Sequence, residues 1–226
     1  MRDYKLSYVL LLGVTIVIAY PNLASSQEHW VDAIQHKWPL VKQIQEERPH
    51  AAIFIAARGE CEASDPELIK LRNLALQPFR PQEDWIQNLM RSVSKDQPAP
   101  NMHVDGKVIS IRWPTVSNDI LGTQINDLNL RASANYDPER TKSDVLTSKE
   151  VLSRAKATNT KYVLQIGGLI QPPTSRGPHL PDELHGVTVE AALIATVQKF
   201  GGVMTYMECR LPNGQGRYFV QYDYPR

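Results

Sequence analysis

The sequence predicts an α+β protein in which two helix–hairpin units, small antiparallel sheets packed by helices, follow a cleavable signal peptide. A helical pattern, a strand, a glycine-containing turn and a second strand occur in that order at 81–113 and again at 188–224. A helix that covers a small sheet buries the apolar faces of both elements. Hydrophobic residues make up 42% and charged residues 22% of the 226 residues, which is typical of a globular protein.

The first 26 residues have the three parts of a secretory signal peptide. Arg2 and Lys5 form a basic start, 6–19 is an uncharged and mostly apolar run, and 24–26 supplies small residues before cleavage. The run is shorter than the roughly 20 residues of a membrane-spanning helix, which favours cleavage over an uncleaved anchor. We therefore predict a periplasmic or secreted protein that begins near Gln27, with no membrane span in the mature chain.

Proline-rich stretches suggest how the mature chain is divided. We predict an N-terminal α+β region at 27–170 with a hairpin at 102–113, a Pro-rich linker at 171–182 and a C-terminal helix–hairpin unit at 183–226. The sequence leaves open whether these regions form one disulfide-linked body or two lobes.

Apolar periodicity and capping residues predict the individual elements. From 27 to the first hairpin we expect helix 27–47 interrupted at Pro39, strand or buried helix 51–57, and helices beginning at 64–67 and at Pro81. The hairpin itself has a turn at Asp105-Gly106 and strand 107–113. Between the hairpin and the linker we expect helix 117–130, a turn-like stretch at 135–143, helix 148–157 and strand 161–166. After it, Thr188 caps a helix that Gly201 ends, and strands 203–207 and 217–224 flank a turn at 212–216.

The two cysteines, Cys61 and Cys209, predict a structural disulfide. An isolated pair tends to bond in an oxidising compartment, and acidic neighbours of Cys61 disfavour a reactive thiolate. Such a bond would tie the first part of the mature chain to the last hairpin. Two free thiols or an intermolecular bond are the alternatives.

Charge and motifs narrow the function classes. A net charge of +1 without a dense basic stripe argues against nucleic acid as a partner. Residues 92–95 fit S-x-x-K, but its companion motifs are missing, as are complete hydrolase, P-loop and dinucleotide fingerprints. We predict no cofactor, and the sequence leans away from an enzyme.

Two histidine clusters contain residue types that bind metals. His29, Asp32 and His36 would share one face of a continuous helix, although a solvated face is the favoured interpretation.

The second cluster, His179, Asp182, Glu183 and His185, lies in a proline-containing loop. Its carboxylates could orient an imidazole or join it at a metal, so these four are the candidate catalytic residues, with a polar connector as the favoured alternative.

Aromatic residues on the last predicted strand suggest a possible binding face. Tyr218, Tyr222 and Tyr224 alternate and therefore share one side of that strand. This face either binds a glycan, a peptide or a partner chain, or forms the floor under helix 188–200; the sequence favours the floor.

The helix entry at 184–193 resembles the short N-terminal periplasmic module of secretins and TonB-dependent transducers. The matching positions are Gly186, Thr188, Val189, Ala192, Leu193 and, after the helix, Gly201. The stretch 76–113 resembles the module more faintly, and no pore or transporter barrel follows. The resemblance implies a non-enzymatic interaction module of the envelope and carries no catalytic residues.

These observations predict an exported, soluble envelope protein that acts as a binding or assembly module, with another envelope protein as its partner. A secreted metal-assisted hydrolase using the His179 and His185 loop is the alternative. A small-ligand carrier is a third class, which would require a sizeable apolar cavity.

Overall fold

The computed structural model describes residues 43–44, 46–48, 50–61, 78, 80–94, 99–130, 136–163 and 177–223. The predicted signal peptide at 1–26, the cluster of His29, Asp32 and His36, the helix beginning at 64–67, and Tyr224 lie outside the described residues.

The described chain has the predicted α+β class. The helices are α1 Trp85–Val93, α2 Pro138–Leu146, α3 Lys149–Ala157 and α4 Val189–Phe200. The strands are β1 Ala52–Glu60, β2 Asn101–Asp105, β3 Val108–Arg112, β4 Gln124–Asn129, β5 Thr160–Tyr162, β6 Glu183–Thr188, β7 Gly202–Arg210 and β8 Gly216–Asp223. Within this part of the chain, no helix is long and apolar enough to cross a membrane.

Six strands form one mixed sheet in the order β2-β3-β1-β7-β8-β5. Both predicted hairpins are present, as the antiparallel pairs β2–β3 and β7–β8. Strand β1 lies between them and pairs in parallel with β3 on one side and β7 on the other. Strands from both sides of the Pro-rich segment therefore belong to one sheet, and β4 and β6 form a separate two-stranded sheet.

The apolar run 51–57 is a strand because it is buried on both faces. Residues 52–57 are at most 3% exposed, which is usual for a strand with parallel neighbours and covered faces. Helix α4 packs against β1, β3 and β7 on the face that carries Arg112 and Tyr222. Arg112 Nη1 lies 2.6 Å from Glu190 Oε2, and the Tyr222 hydroxyl donates to the Gly201 carbonyl at 2.7 Å.

Tyr218 and Tyr222 lie in the core, so they do not form an accessible binding face. They are at most 5% exposed, and the Tyr218 ring stacks on Tyr162 and Tyr206 at centroid distances of 5.3 and 6.2 Å. Burial raises the pKa of Tyr218 above its ordinary range. The Tyr222 hydroxyl reaches the Gly201 carbonyl at the end of α4, and β8 itself lies next to α2.

Two predicted elements are wrong. The stretch 117–130 is not a helix: it turns through 117–122 and then forms β4. It is rich in Asn and Asp, which are poor helix formers, and its apolar residue Ile125 is buried through pairing with β6. Most of the predicted turn-like stretch 135–143 is helical from Pro138 onward, because Asp137 caps α2 and Pro138 occupies its first turn.

The predicted hairpin turn is shifted by one residue. Asp105 pairs with Val108, so the two-residue loop consists of Gly106 and Lys107. Gly106 has a φ of 57°, a value that glycine adopts without strain at the first loop position.

The Cys61–Cys209 disulfide is confirmed. Its Cα atoms lie 5.0 Å apart, and the bond links residues 148 positions apart. Cys209 pairs with Gly59 in the β1–β7 ladder, so the bond joins these two strands just beyond the end of β1. Both cysteines are at most 6% exposed.

We predict that the Cys61→Ala/Cys209→Ala double variant loses about 2–5 kcal/mol of its free energy of unfolding, because the unfolded chain is no longer constrained by a long loop. Urea unfolding with and without a reductant measures the loss. The reductant should destabilise the wild type and leave the double variant unchanged; equal midpoints for both proteins without reductant would contradict the prediction.

Candidate functional site

The exposed apolar side chains of the described residues are concentrated in one place. Four large hydrophobic residues are exposed: Ile86, Met90 and Val104 at 37%, 47% and 36%, and Leu152 at 50%. Ile86 and Met90 are one helical turn apart on α1, and Ile86 and Val104 line the same groove. Clustered exposed apolar side chains mark interaction sites more often than scattered ones do.

We call this feature the α1–β2 groove. It has a volume of about 470 Å³. Its described lining consists of Glu47, Arg48, His50, Ala51, Trp85, Ile86, Val104, Gly106, Lys107 and Ile109. The floor is apolar, and basic side chains outnumber the single acid at the rim.

The position of α1 follows from its local sequence. Asp84 accepts a hydrogen bond from the Gln87 backbone, and the Gln87 side chain accepts one from the Asp84 backbone, so the helix begins at Trp85 rather than at Pro81. Trp85 and Leu89 are buried, which turns Ile86 and Met90 outward.

Two arginines make contacts around α1. The Arg91 side chain donates two hydrogen bonds of 2.7 Å to Glu83, and these bonds lower the pKa of Glu83 to about 2. Arg91 also donates to the Pro78 carbonyl at 2.7 Å. The Arg48 guanidinium lies 5.5 Å from the centre of the Trp85 ring, a cation–π distance.

The other wall of the groove is an edge strand. Strand β2 is outermost in the six-stranded sheet, and no described strand pairs with its outer side. Residues that close a two-residue hairpin loop exchange hydrogen bonds, so Asp105, His103 and Asn101 bond to β3. The backbone N–H and C=O groups of Met102 and Val104 therefore point outward.

Side chains of β2 alternate between the groove and the opposite face. Val104 lies beside Ile109 in the hairpin ladder, and both line the groove. Asn101, His103 and Asp105 point to the other face and are exposed. The groove thus combines apolar side-chain sites with outward-pointing backbone groups that no described strand pairs with, and these are the two components that bind an extended polypeptide.

The structure places His185 between two carboxylates. Its Nδ1 lies 2.7 Å from Asp127 Oδ1 and its Nε2 lies 2.9 Å from Glu183 Oε2. Hydrogen bonds to Asp127 and then to Glu183 raise the pKa of His185. Both ring nitrogens of His185 therefore face a carboxylate oxygen, and in the protonated form of the imidazole both donate hydrogen bonds.

Glu183 and His185 lie on strand β6 rather than in the predicted loop, and the other two members of the predicted cluster, His179 and Asp182, make different contacts. The His179 ring packs against Tyr136 at a centroid distance of 5.2 Å, and the Asp182 carbonyl accepts a hydrogen bond from Leu130 N–H at 2.9 Å. Among the described residues, no group of His, Cys, Asp and Glu side chains is arranged to hold a metal ion. The observed geometry gives the hydrolase alternative no support.

A buried carboxylate forms a second polar cluster. Glu208 is 7% exposed and accepts hydrogen bonds from the Ser117 N–H at 2.7 Å, the Ser117 hydroxyl at 3.1 Å and the Tyr206 hydroxyl at 3.0 Å. Arg58 Nε lies 3.8 Å from the same group. The oxygens of Glu208 are thus occupied by the fold, and they fix the segment after β3 onto the sheet.

Sequence reasoning missed the groove and the role of Asp127. Ile86 and Met90 stand beside the buried α1 stripe in the sequence, but nothing local shows that an edge strand lies next to them. Asp127 reaches His185 only because β4 pairs with β6 in the register Asp127 to His185.

Comparison with protein-family models, curated proteins and solved structures finds no match for this chain.

The His185 cluster predicts a pH-dependent contribution to stability. A pKa that is raised on folding stabilises the protein below the unfolded pKa of histidine, and this contribution is lost as pH rises through the folded pKa. We expect the difference in melting temperature between wild type and His185→Gln to be largest near pH 5.5, about one unit below the ordinary histidine pKa, and to decrease towards pH 9, about two and a half units above it.

Thermal unfolding of both proteins at several pH values measures this difference. His179→Gln is the matched control, since His179 contacts Tyr136 rather than a carboxylate in the described structure. A difference that does not change with pH, or one that grows as pH rises, would contradict the prediction.

Proposed function

We propose that this chain is an exported envelope protein that acts as a binding or assembly module, and that another envelope protein binds at its α1–β2 groove. The observation that carries the proposal is that the exposed residues Ile86 and Val104 line one groove at an edge strand whose outer side no described strand covers. An apolar patch on a surface and an open strand edge are both costly to leave exposed, and contacts with other protein chains cover such features.

Two further observations support export and a non-enzymatic role. The buried Cys61–Cys209 disulfide suits an oxidising compartment, where such bonds persist. The resemblance at Gly186, Thr188 and Val189, followed by helix α4 and the β7–β8 hairpin, suits a periplasmic interaction module.

Site-specific photocrosslinking tests the groove. A benzoylphenylalanine residue replaces Ile86 in one variant and Leu152 in a matched control, because both side chains are exposed and apolar but Leu152 lies on α3. After irradiation of intact cells, the variant at position 86 should give a discrete adduct with another polypeptide, at least about tenfold more abundant than any adduct at position 152.

Two outcomes of the crosslinking experiment would contradict the proposal. Equal adducts at both positions, or none at position 86 with the protein correctly exported, would remove the groove as the binding site. In a third variant, benzoylphenylalanine replaces Met90 and Ile86 is changed to Asp. This Ile86→Asp change should reduce the adduct formed from position 90, because a carboxylate is costly to bury against an apolar partner.

Export has its own test. We expect the mature protein to begin at or near Gln27, which N-terminal peptide mass spectrometry of the extracytoplasmic fraction determines. Replacing Leu11 and Leu12 with lysine should interrupt the apolar run and leave full-length precursor in the cell. A wild-type protein that retains Met1 in the cytoplasm would overturn this part of the proposal.

A further inference from the structure

We propose that β2 pairs with β2 of a second copy of this chain, antiparallel and centred on His103, so that two six-stranded sheets join edge to edge. This inference rests on the proposed function in one respect, namely that the β2 edge is a protein-binding surface. It names one occupant of that edge: the chain itself.

The backbone register follows from which groups of β2 point outward. Met102 and Val104 direct their N–H and C=O groups away from β3, as described above. In an antiparallel pair centred on His103, Met102 of one copy faces Val104 of the other, and these residues exchange hydrogen bonds. The His103 residues then form the non-hydrogen-bonded pair at the two-fold axis.

This register is also the longest one available. It pairs all five residues of β2, from Asn101 to Asp105. A shift of two residues towards the start of the strand brings Pro100, which has no N–H, into the ladder. A shift of two residues in the other direction brings the loop residue Gly106 into the ladder. Asn101 then faces the loop of the second copy instead of a residue of its β2 strand.

The side chains are self-complementary in the same register. On the groove side, Val104 of one copy meets Met102 of the other, so an exposed apolar residue gains an apolar neighbour. On the opposite side, Asp105 meets Asn101, whose amide can donate to the carboxylate. No carboxylate meets another carboxylate, and no lysine or arginine meets another.

The α1–β2 groove lies on the side of β2 that carries the apolar residue Val104. Val104 lies on β2 itself, and the exposed Ile86 lines the same groove. Pairing would place the second copy's Met102 next to Val104 and extend the apolar floor of one groove towards the other across the two-fold axis. A C2 contact of this kind closes on itself, so it yields dimers rather than fibres.

A cysteine at the two-fold axis tests the register directly. Facing residues of a non-hydrogen-bonded pair have Cα atoms about 4.5 Å apart, within the range of a disulfide. The two native cysteines are bonded to each other, so an introduced thiol is the sole free one. His103→Cys should therefore form a covalent dimer under mild oxidation with copper phenanthroline.

Asp105→Cys is the matched control. Position 105 is exposed on the same face of the same strand, but in the proposed register it faces Asn101, roughly 13 Å along the strand from its own symmetry mate. We expect at least tenfold more disulfide-linked dimer from His103→Cys than from Asp105→Cys at equal protein concentration on a non-reducing gel. Equal yields from both variants would overturn the proposal.

Sedimentation velocity of the proteins without introduced cysteines is the second measurement. Val104→Pro removes one outward N–H and leaves the β2–β3 hydrogen bonds intact, whereas Val104→Thr keeps both the N–H and the branched shape. Wild type and Val104→Thr should show concentration-dependent dimers, and Val104→Pro should remain monomeric or dimerise at least tenfold more weakly. Circular dichroism establishes that all three proteins are folded.

The results separate this inference from the proposed function. A wild type that stays monomeric at high concentration, or a dimer that Val104→Pro leaves unchanged, overturns self-pairing at β2. The heterologous adduct expected from position 86 does not depend on that result. Conversely, a dimer that shows the His103 crosslink stands even when no foreign partner is captured.

Discussion

Parallel pairing of β1 with strands on both of its sides holds the two hairpins of this protein in one sheet. Residues 52–57 are at most 3% exposed and contact β3 and β7 along a continuous register. Each fully buried Ile or Phe of this strand contributes about 1.5–3 kcal/mol of transfer free energy. The Cys61–Cys209 bond extends the β1–β7 contact beyond the last backbone pair. Without β1, the β2–β3 hairpin would be separated from β7, β8 and β5, and an isolated two-stranded hairpin is marginally stable in water.

The groove depends on that arrangement. Its floor contains Ala51 and Ile109, which lie at the start of β1 and on its neighbour β3, and its wall is β2. Helix α1 is fixed separately by its capping box and by Arg91, which bonds to Glu83 and to the Pro78 carbonyl. The apolar site is therefore present before a partner arrives, and little conformational entropy remains to be lost on binding. The strand edge and the apolar floor are held next to each other by the same sheet.

Elements with local signals could be predicted from the sequence. Thr188 and Gly201 delimit α4 as expected, because capping is decided within one helical turn. The cysteine pair was predictable because the chain offers only one intramolecular pairing. The α2 helix was also within reach: Asp137-Pro138-Glu139 repeats the start pattern recognised at 65–67, but the polar residues around it suggested a turn.

Elements that depend on distant partners could not be predicted. The choice of β3 and β7 as neighbours of β1 is made by residues about 50 and 150 positions away, and no periodicity shows it. The apolar residues of the stretch 117–130 fit neither a helical nor a strand period clearly. Its second half forms strand β4 because it pairs with β6. The groove could not be predicted for the same reason. The sequence around Ile86 does not show that β2 is an edge strand.

Native-state hydrogen exchange tests most directly whether β1 unites the two hairpins. The account predicts that amides in 53–56 of β1, 109–111 of β3 and 204–207 of β7 exchange with one common free energy, equal to that of global unfolding. Exchange of the β3 amides through an opening that leaves β7 and β8 protected would contradict it, because the hairpins would then be separable units and the groove would not rest on a single sheet.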